Sequence, residues 1–393
     1  MLTVSRENGA DPDKWTLYDE NSKIWVYGTE LTDIGQIFLS GGEVYADKQL
    51  SEVQDGRYTS EISDLLINDL QFFSALPAES ASTYGNDKAS SVTGKLYLRC
   101  DSGNPGSIYS SIEFAERPYI IALPTDGSNI TIDNLCIKYG GAHGIGGGGI
   151  TGLTVQNCEV AYIGGGIQLY NKTSDESYTP LRYGNGIEVN NYCDGYTVNN
   201  CWIHDIYDVG ITHQQGGNYT SDRAFENISY TCNLIENCTY SIEYFASASS
   251  DGSHNLIMKN VNISDNIMRN AGSGFGADRN GGWNMSAHIM GWFNAANKAE
   301  NFVIRNNIFD KAIKNNLENG NKINSSMILV SAENASYLPD FESNTYIHYD
   351  GASFAYYGEN VEDFNESYFE KYSSDTNVSE TLGDTAGKEY LAQ

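Results

Sequence analysis

Two glutamates stand in near-identical settings, Glu188 in Gly186-Ile-Glu-Val and Glu243 in Ser241-Ile-Glu-Tyr. Two carboxyls on one face, one giving a proton and the other taking one, are the equipment of glycoside hydrolysis. Between them runs Val209-Gly-Ile-Thr-His-Gln, the same small-Ile-polar pattern, which brings Thr212, His213 and Gln214. Aligning these isoleucines sets Gly146, Glu188, Thr212, Glu243 and Gly276 in one column, which strand alternation turns outward. The column before it holds Gly144, Gly186, Gly210, Ser241 and Gly274, so the glutamates are expected on the wall of a shallow trough. One strand separates them, which puts their backbones about 9.6 Å apart at about 4.8 Å per strand. Side-chain reach then spans both carboxyl separations used by glycosidases, about 6.5–9.5 Å for inversion and about 5 Å for retention.

Around this pair, Asp208, Thr212, His213, Gln214 and Tyr244 are expected to contact substrate. The long connections 214–227, 246–260 and 277–301 follow the Gly-Ile strands, and the last carries Asp278, Arg279, Trp283, His288 and Trp292. Tyr244, Trp283 and Trp292 offer flat rings for the apolar faces of sugars. No Cys-x-x-Cys or His-x-x-x-His spacing marks a metal site, and no cofactor is called for, although bound Ca²⁺ would suit so acidic a surface.

The elements that must position these residues are short strands. A second strand type, apolar-x-apolar-x-Asn, fits Ile130–Ile137, Leu153–Val160, Tyr196–Ile203, Ile228–Ile235, Val261–Met268 and Phe302–Phe309, with Asn134, Asn157, Asn200, Cys232, Asp265 and Asn306 at the anchor. From Ile132 to Ile145, Val155 to Ile167, Val198 to Ile211, Tyr230 to Ile242 and Ile263 to Phe275, the step to the next Gly-Ile strand is 12 or 13 residues, whereas the return leg swells. Repeated strands with loops on one face predict a single-stranded parallel β-helix, all-β, with the anchor asparagines stacked as a ladder. Asp205 falls in a turn column with Tyr139, Tyr162, Asn237 and Asn270 and is expected to be structural, as are Cys158 and Cys201 as small inward residues. Residues 1–120 read as an N-terminal cap with irregular first coils and a helix near 61–73, residues 121–350 as the β-helix, and 351–393 as a C-terminal cap and tail with a helix over 361–372.

The chain has 393 residues, 40 Gly, 28 Tyr and a net charge of −28. Such a charge repels nucleic acid and anionic membranes, and no apolar run is long enough to span a bilayer. The low Lys content suits an exported protein whose leader lies outside this sequence.

The segments Ile130-Thr-Ile-Asp-Asn-Leu, Arg182-Tyr-Gly-Asn-Gly-Ile-Glu, Tyr207-Asp-Val-Gly-Ile-Thr-His-Gln and Asn270-Ala-Gly-Ser-Gly-Phe-Gly resemble the right-handed parallel β-helix superfamily, the pectate-lyase-like fold, over roughly residues 90–350. The resemblance implies a carbohydrate-active, secreted protein with a groove along one sheet. Hydrolysis of a plant or microbial polysaccharide by Glu188 and Glu243 is the leading expectation. The alternatives are β-elimination of a uronate polymer, for which only Arg182, Arg223 and Arg279 lie near the trough, and a non-catalytic glycan-binding β-helix. Loops that lengthen toward the C-terminal coils suggest a pocket closed on one side, which favours exo action.

Overall fold

Each apolar-x-apolar segment pairs, in parallel and in register, with its counterpart one turn of chain later, so the repeat read from sequence is a repeat in space. The computed structural model describes residues 1–5, 8–85, 91–276, 285–293, 298–312, 324–332, 339–349, 355–357, 369–370 and 372–380. It is almost entirely β, with helical pieces of a single turn such as Ile62–Leu65 and Pro105–Ile108. The helix expected near 61–73 is limited to that one turn, because Leu70 takes a positive φ and the chain enters the strand Gln71–Ala75. The helix expected over 361–372 falls largely outside the described residues.

In an 11-stranded sheet, nine strands run from Ile112–Glu116 through Cys136–Gly140, Glu159–Ile163, Trp202–Ile206, Leu234–Glu236, Ile267–Ala271, Ile308–Ala312 and Thr345–Tyr349 to Thr376–Glu380, each step parallel, and Ile34–Leu39 and Val44–Tyr45 complete it as antiparallel strands. A 13-stranded sheet has two arms joined by the long strands Ile145–Gln156 and Ile187–Asn199. One arm continues through Val209–Gln215, Tyr240–Ala246, Met285–Phe293 and Asn324–Ala332; the other continues through Arg223–Thr231, Leu256–Ser264 and Lys298–Arg305. From Ile112 to Glu342, each turn of chain thus lays a strand segment on each of three parallel ladders. The inward columns are Ile, Val, Leu, Phe and Tyr, and they form one continuous buried cluster from Leu123 to Tyr346.

The corners between faces explain the anchor pattern. Asn134, Asn157, Asn200, Cys232, Asp265 and Asn306 all have φ between 51° and 59°, as do Tyr162, Asp205, Asn237 and Asn270 at a second corner. Asn and Asp tolerate this left-handed conformation better than other non-glycine residues, which is why they recur there. The anchor asparagines are exposed, and Asn200 and Asn157 stack as expected, Asn200 Nδ2 donating to Asn157 Oδ1 one turn of chain away at 2.7 Å. The long buried ladder lies one residue further on, in Asn233, Asn266, Asn307 and Asn344, ending on Asp375. Cys158 and Cys201 begin the same column as buried free thiols, and the Cys201 backbone N–H donates to Asn233 Oδ1 at 2.9 Å.

Within that ladder, Asn266 Oδ1 accepts the backbone N–H and Nδ2 of Asn233 at 3.0 and 2.9 Å, and Asn266 Nδ2 donates to the Tyr230 carbonyl at 2.9 Å. Asn266→Ala strands these groups in the interior. The expected cost is about 3 kcal/mol, from buried groups worth about 1–3 kcal/mol each, and urea unfolding at neutral pH measures it.

Two strands stand elsewhere than the spacing predicts. Ile167 does not pair with Ile145; Ile187 does. Gly164 and Gly165, with φ of 104° and 85°, end the preceding turn, and Gly166–Lys172 goes out into an antiparallel hairpin with Tyr178–Tyr183. Phe275 likewise gives way to Ile289 as the partner of Ile242. Gly272 and Gly274 take the left-handed conformation, and Phe275 packs instead against Phe38 and Tyr207. The constant step of 12 residues therefore misplaced both, because it allowed insertions only on the return leg.

The hairpin matters to the site. Tyr178 pairs with Val53 of the N-terminal region, and Ile167 N–H donates to the buried Asp33, which also holds Lys48 Nζ at 2.8 Å. At its base Arg182 donates through Nε to the Gly165 carbonyl at 2.8 Å and lies 4.4 Å over the Tyr207 ring. Arg182 is therefore engaged in holding the hairpin.

Candidate active site

A cavity of about 770 Å³ opens on the face that carries Glu188 and Glu243. Its floor is the outward side of the strands around Ile187, Ile211 and Ile242. One wall is the hairpin, through Gln168, Asn171, Thr179, Leu181 and Tyr183, backed by Leu50, Ser51 and Glu52. Glu188, Thr212 and Glu243 are consecutive register partners, so the two glutamates stand two strands apart on the same side.

Glu188 is held from three directions. Its Oε2 accepts Asn185 Nδ2 at 2.6 Å and faces His143 Nε2 at 3.1 Å, while its Oε1 accepts Asn190 Nδ2 at 3.1 Å. The His143 tautomer follows from its other nitrogen, because Nδ1 accepts the backbone N–H of Asn185 at 2.9 Å. The ring proton is therefore on Nε2, and His143 donates to Glu188. Burial pulls the His143 imidazole below the ordinary histidine range, against the opposing pull of Glu188 and Asp208, so the ring is a neutral donor. Tyr119 and Tyr183 meet it edge-on at 4.7 and 4.9 Å and fix its plane. Tyr183 is anchored in turn by Arg117 Nε at 3.0 Å from its hydroxyl.

Glu243 is in a different setting. It is half-buried, and Thr212 Oγ1 donates to its Oε2 at 3.3 Å. Thr212 itself is covered, so it positions Glu243 from beneath. Asp208 and Gln214 line the cavity as expected, together with Tyr240 and Phe245.

Three expected contacts lie in the interior instead. His213 and Tyr244 follow Thr212 and Glu243 by one residue, and the alternation that turns the column of Glu188 outward turns theirs inward. His213 is wholly buried, with Nδ1 2.9 Å from the Tyr230 hydroxyl, and Tyr244 packs on Phe302. His288 directly precedes Ile289, in the inward column of Gly186, Gly210 and Ser241, and its Nδ1 lies 3.0 Å from Ser241 Oγ. Trp292 pairs through its backbone with Phe245. Asp278, Arg279 and Trp283 lie outside the described residues.

No family model matches the chain, and no curated protein does. One solved structure, named only as a glycoside hydrolase, is similar over 99% of this chain and 77% of its own, at 10% identity and a TM-score of 0.37. At that level neither fold nor reaction carries over.

The cavity's own residues remain the basis for chemistry. Glu52, Glu188, Asp208 and Glu243 line it, and among the described residues no Lys or Arg does. Among the described residues no group of three or more His, Cys, Asp or Glu is gathered to hold a metal ion. His143, Asn185 and Asn190 escaped the sequence reading. A signal for the first two existed: His143 and Asn185 each stand two residues before the aligned Ile145 and Ile187, in the column next to the one that was followed.

Proposed function

We propose that the chain is a right-handed parallel β-helix hydrolase that cleaves neutral glycosidic bonds, with Glu188 as base and Glu243 as acid. What carries this reading is the unlike pair of carboxyls in one walled cavity. All three partners of Glu188 are donors, so its oxygens are placed to receive a proton and not to give one. Glu243 is half-buried over the Thr212 hydroxyl and faces the cavity, where a leaving oxygen can take its proton.

Orientation favours inversion. Glu188 leans toward His143, one strand further from Glu243, which keeps the carboxyls near the separation of about 9.6 Å that two strand spacings set. That gap leaves room for a water between the carboxyl and the sugar. Glu188 takes a proton from this water, its oxygen bonds to the anomeric carbon, the glycosidic C–O bond breaks, and Glu243 protonates the departing oxygen.

The absence of Lys and Arg among the described lining residues speaks against elimination, which needs a cation for the uronate carboxylate and a base beside it. Assays on neutral and uronic polysaccharides decide between the classes. Reducing ends that appear without the ultraviolet absorbance of an unsaturated product support the hydrolase. Absorbance that rises with each cleavage means a lyase, and binding without turnover means a glycan-binding module.

A further inference from the structure

We infer that the cavity accepts the end of a glycan chain or a short oligosaccharide and excludes the interior of a polymer. This rests on the hydrolase reading and specifies its substrate.

The outward column that makes the floor is open over a short stretch only. Toward the N-terminus, the column of Glu243, Thr212 and Glu188 continues to Gly146. That site is filled from above by Tyr119: a Cβ on Gly146 would meet Tyr119 Cε2 at 3.1 Å and His143 Cβ at 3.2 Å. The glycine leaves room for the Tyr119 ring at this end of the column, and the ring is seated edge-on against His143 at 4.7 Å.

Toward the C-terminus, the same column reaches Met290 and then Leu329, which are 1% and 7% exposed although their register turns them outward. With Val209, Tyr240 and Ala287 they form one buried apolar cluster. From Gly146 to Glu243 there are three strand intervals, about 14 Å, and the hairpin and Leu50–Glu52 close one side. A polymer lying along the trough would have to pass through Tyr119 at one end or the Met290 cluster at the other. A chain end does not. The closure expected from loops near the C-terminal coils falls largely outside the described residues; the closure that the described residues make is by Tyr119 and the Met290 cluster.

The test compares chain scission with product release. On a neutral polysaccharide that the full-length protein degrades, reducing ends are expected to accumulate while viscosity holds, with one product size from the earliest time point. A viscosity collapse with a ladder of products overturns the inference while leaving the hydrolase intact. Tyr119→Ala removes the N-terminal barrier, and is expected to add longer products and lower the viscosity; an unchanged single product would show that Tyr119 is not the stop. If no polysaccharide is degraded, calorimetry with Glu188→Gln still decides. Binding in proportion to the number of chain ends supports closure, binding in proportion to polymer mass overturns it, and no binding to any glycan overturns both readings.

Discussion

Glu188→Gln is expected to lower kcat about a thousandfold, within the range by which a positioned base speeds a reaction, with KM and the urea midpoint little changed. The substitution suits the site. The amide oxygen replaces Oε2, which accepts from Asn185 and His143, and the amide nitrogen faces Asn190, whose side chain can turn to offer its oxygen. Only the capacity to take a proton is lost. Glu243→Gln should cost a similar factor on natural substrates, and an aryl glycoside separates the two roles. A nitrophenolate leaves without protonation, so activity of the Glu243 variant recovers on that substrate while that of the Glu188 variant does not. Recovery of the Glu188 variant instead would exchange the roles.

His143 is tested on the same assay. His143→Phe removes the donor to Glu188 and should lower kcat about thirtyfold, the worth of one charge-assisted hydrogen bond of about 2 kcal/mol. His143→Gln keeps an N–H in reach of Glu188 and should restore most of the loss. Equal losses in both variants would mean that the ring serves packing between Tyr119 and Tyr183.

Much of the architecture was legible because it is periodic. Isoleucines 145, 187, 211 and 242 do fall in one column, and residues tolerant of a positive φ do mark the corners. The failures share a cause. Ile167 and Phe275 satisfy a spacing, but spacing is blind to pairs such as Gly164 and Gly165 that let the chain leave a face and return later. The site was legible only along the column being followed. Glu188 and Glu243 lay in it, whereas His143, Asn185 and the hairpin wall belong to a neighbouring column and to an insertion, and only the fold brings those to the carboxyls. The assignment of His213 and Tyr244 to substrate neglected the same alternation that had turned the glutamates outward, and His288 was read as part of a connection although it lies in the strand Met285–Phe293.

Those two inward histidines make the fold sensitive to acid. His213 and His288 are wholly buried, and burial pulls each imidazole from 6.5 to about 3. Their surroundings are Phe225, Tyr230, Tyr244 and Phe302 for the first, and Ser241, Phe309 and the Asp310 backbone for the second, and among the described residues no carboxylate is paired with either ring. A group whose folded pKa is lowered contributes its full stability above its unfolded pKa and loses it as pH falls toward the folded one. Between pH 7 and 5 the unfolded chain therefore gains about one proton at each ring that the fold does not, which removes about 2 kcal/mol per histidine, about 4 kcal/mol for both. Carboxylates add their own acid dependence, so the informative quantity is a difference. His213→Gln with His288→Gln keeps an acceptor for the Tyr230 hydroxyl and a partner for Ser241 Oγ, and should shrink the fall in urea stability between pH 7 and 5 by about 4 kcal/mol. An undiminished fall would mean that both rings are charged and hydrated within the fold. The result also bears on the chemistry, because loss of activity below pH 6 in the wild type would then include unfolding. In the double variant less of that loss would be unfolding.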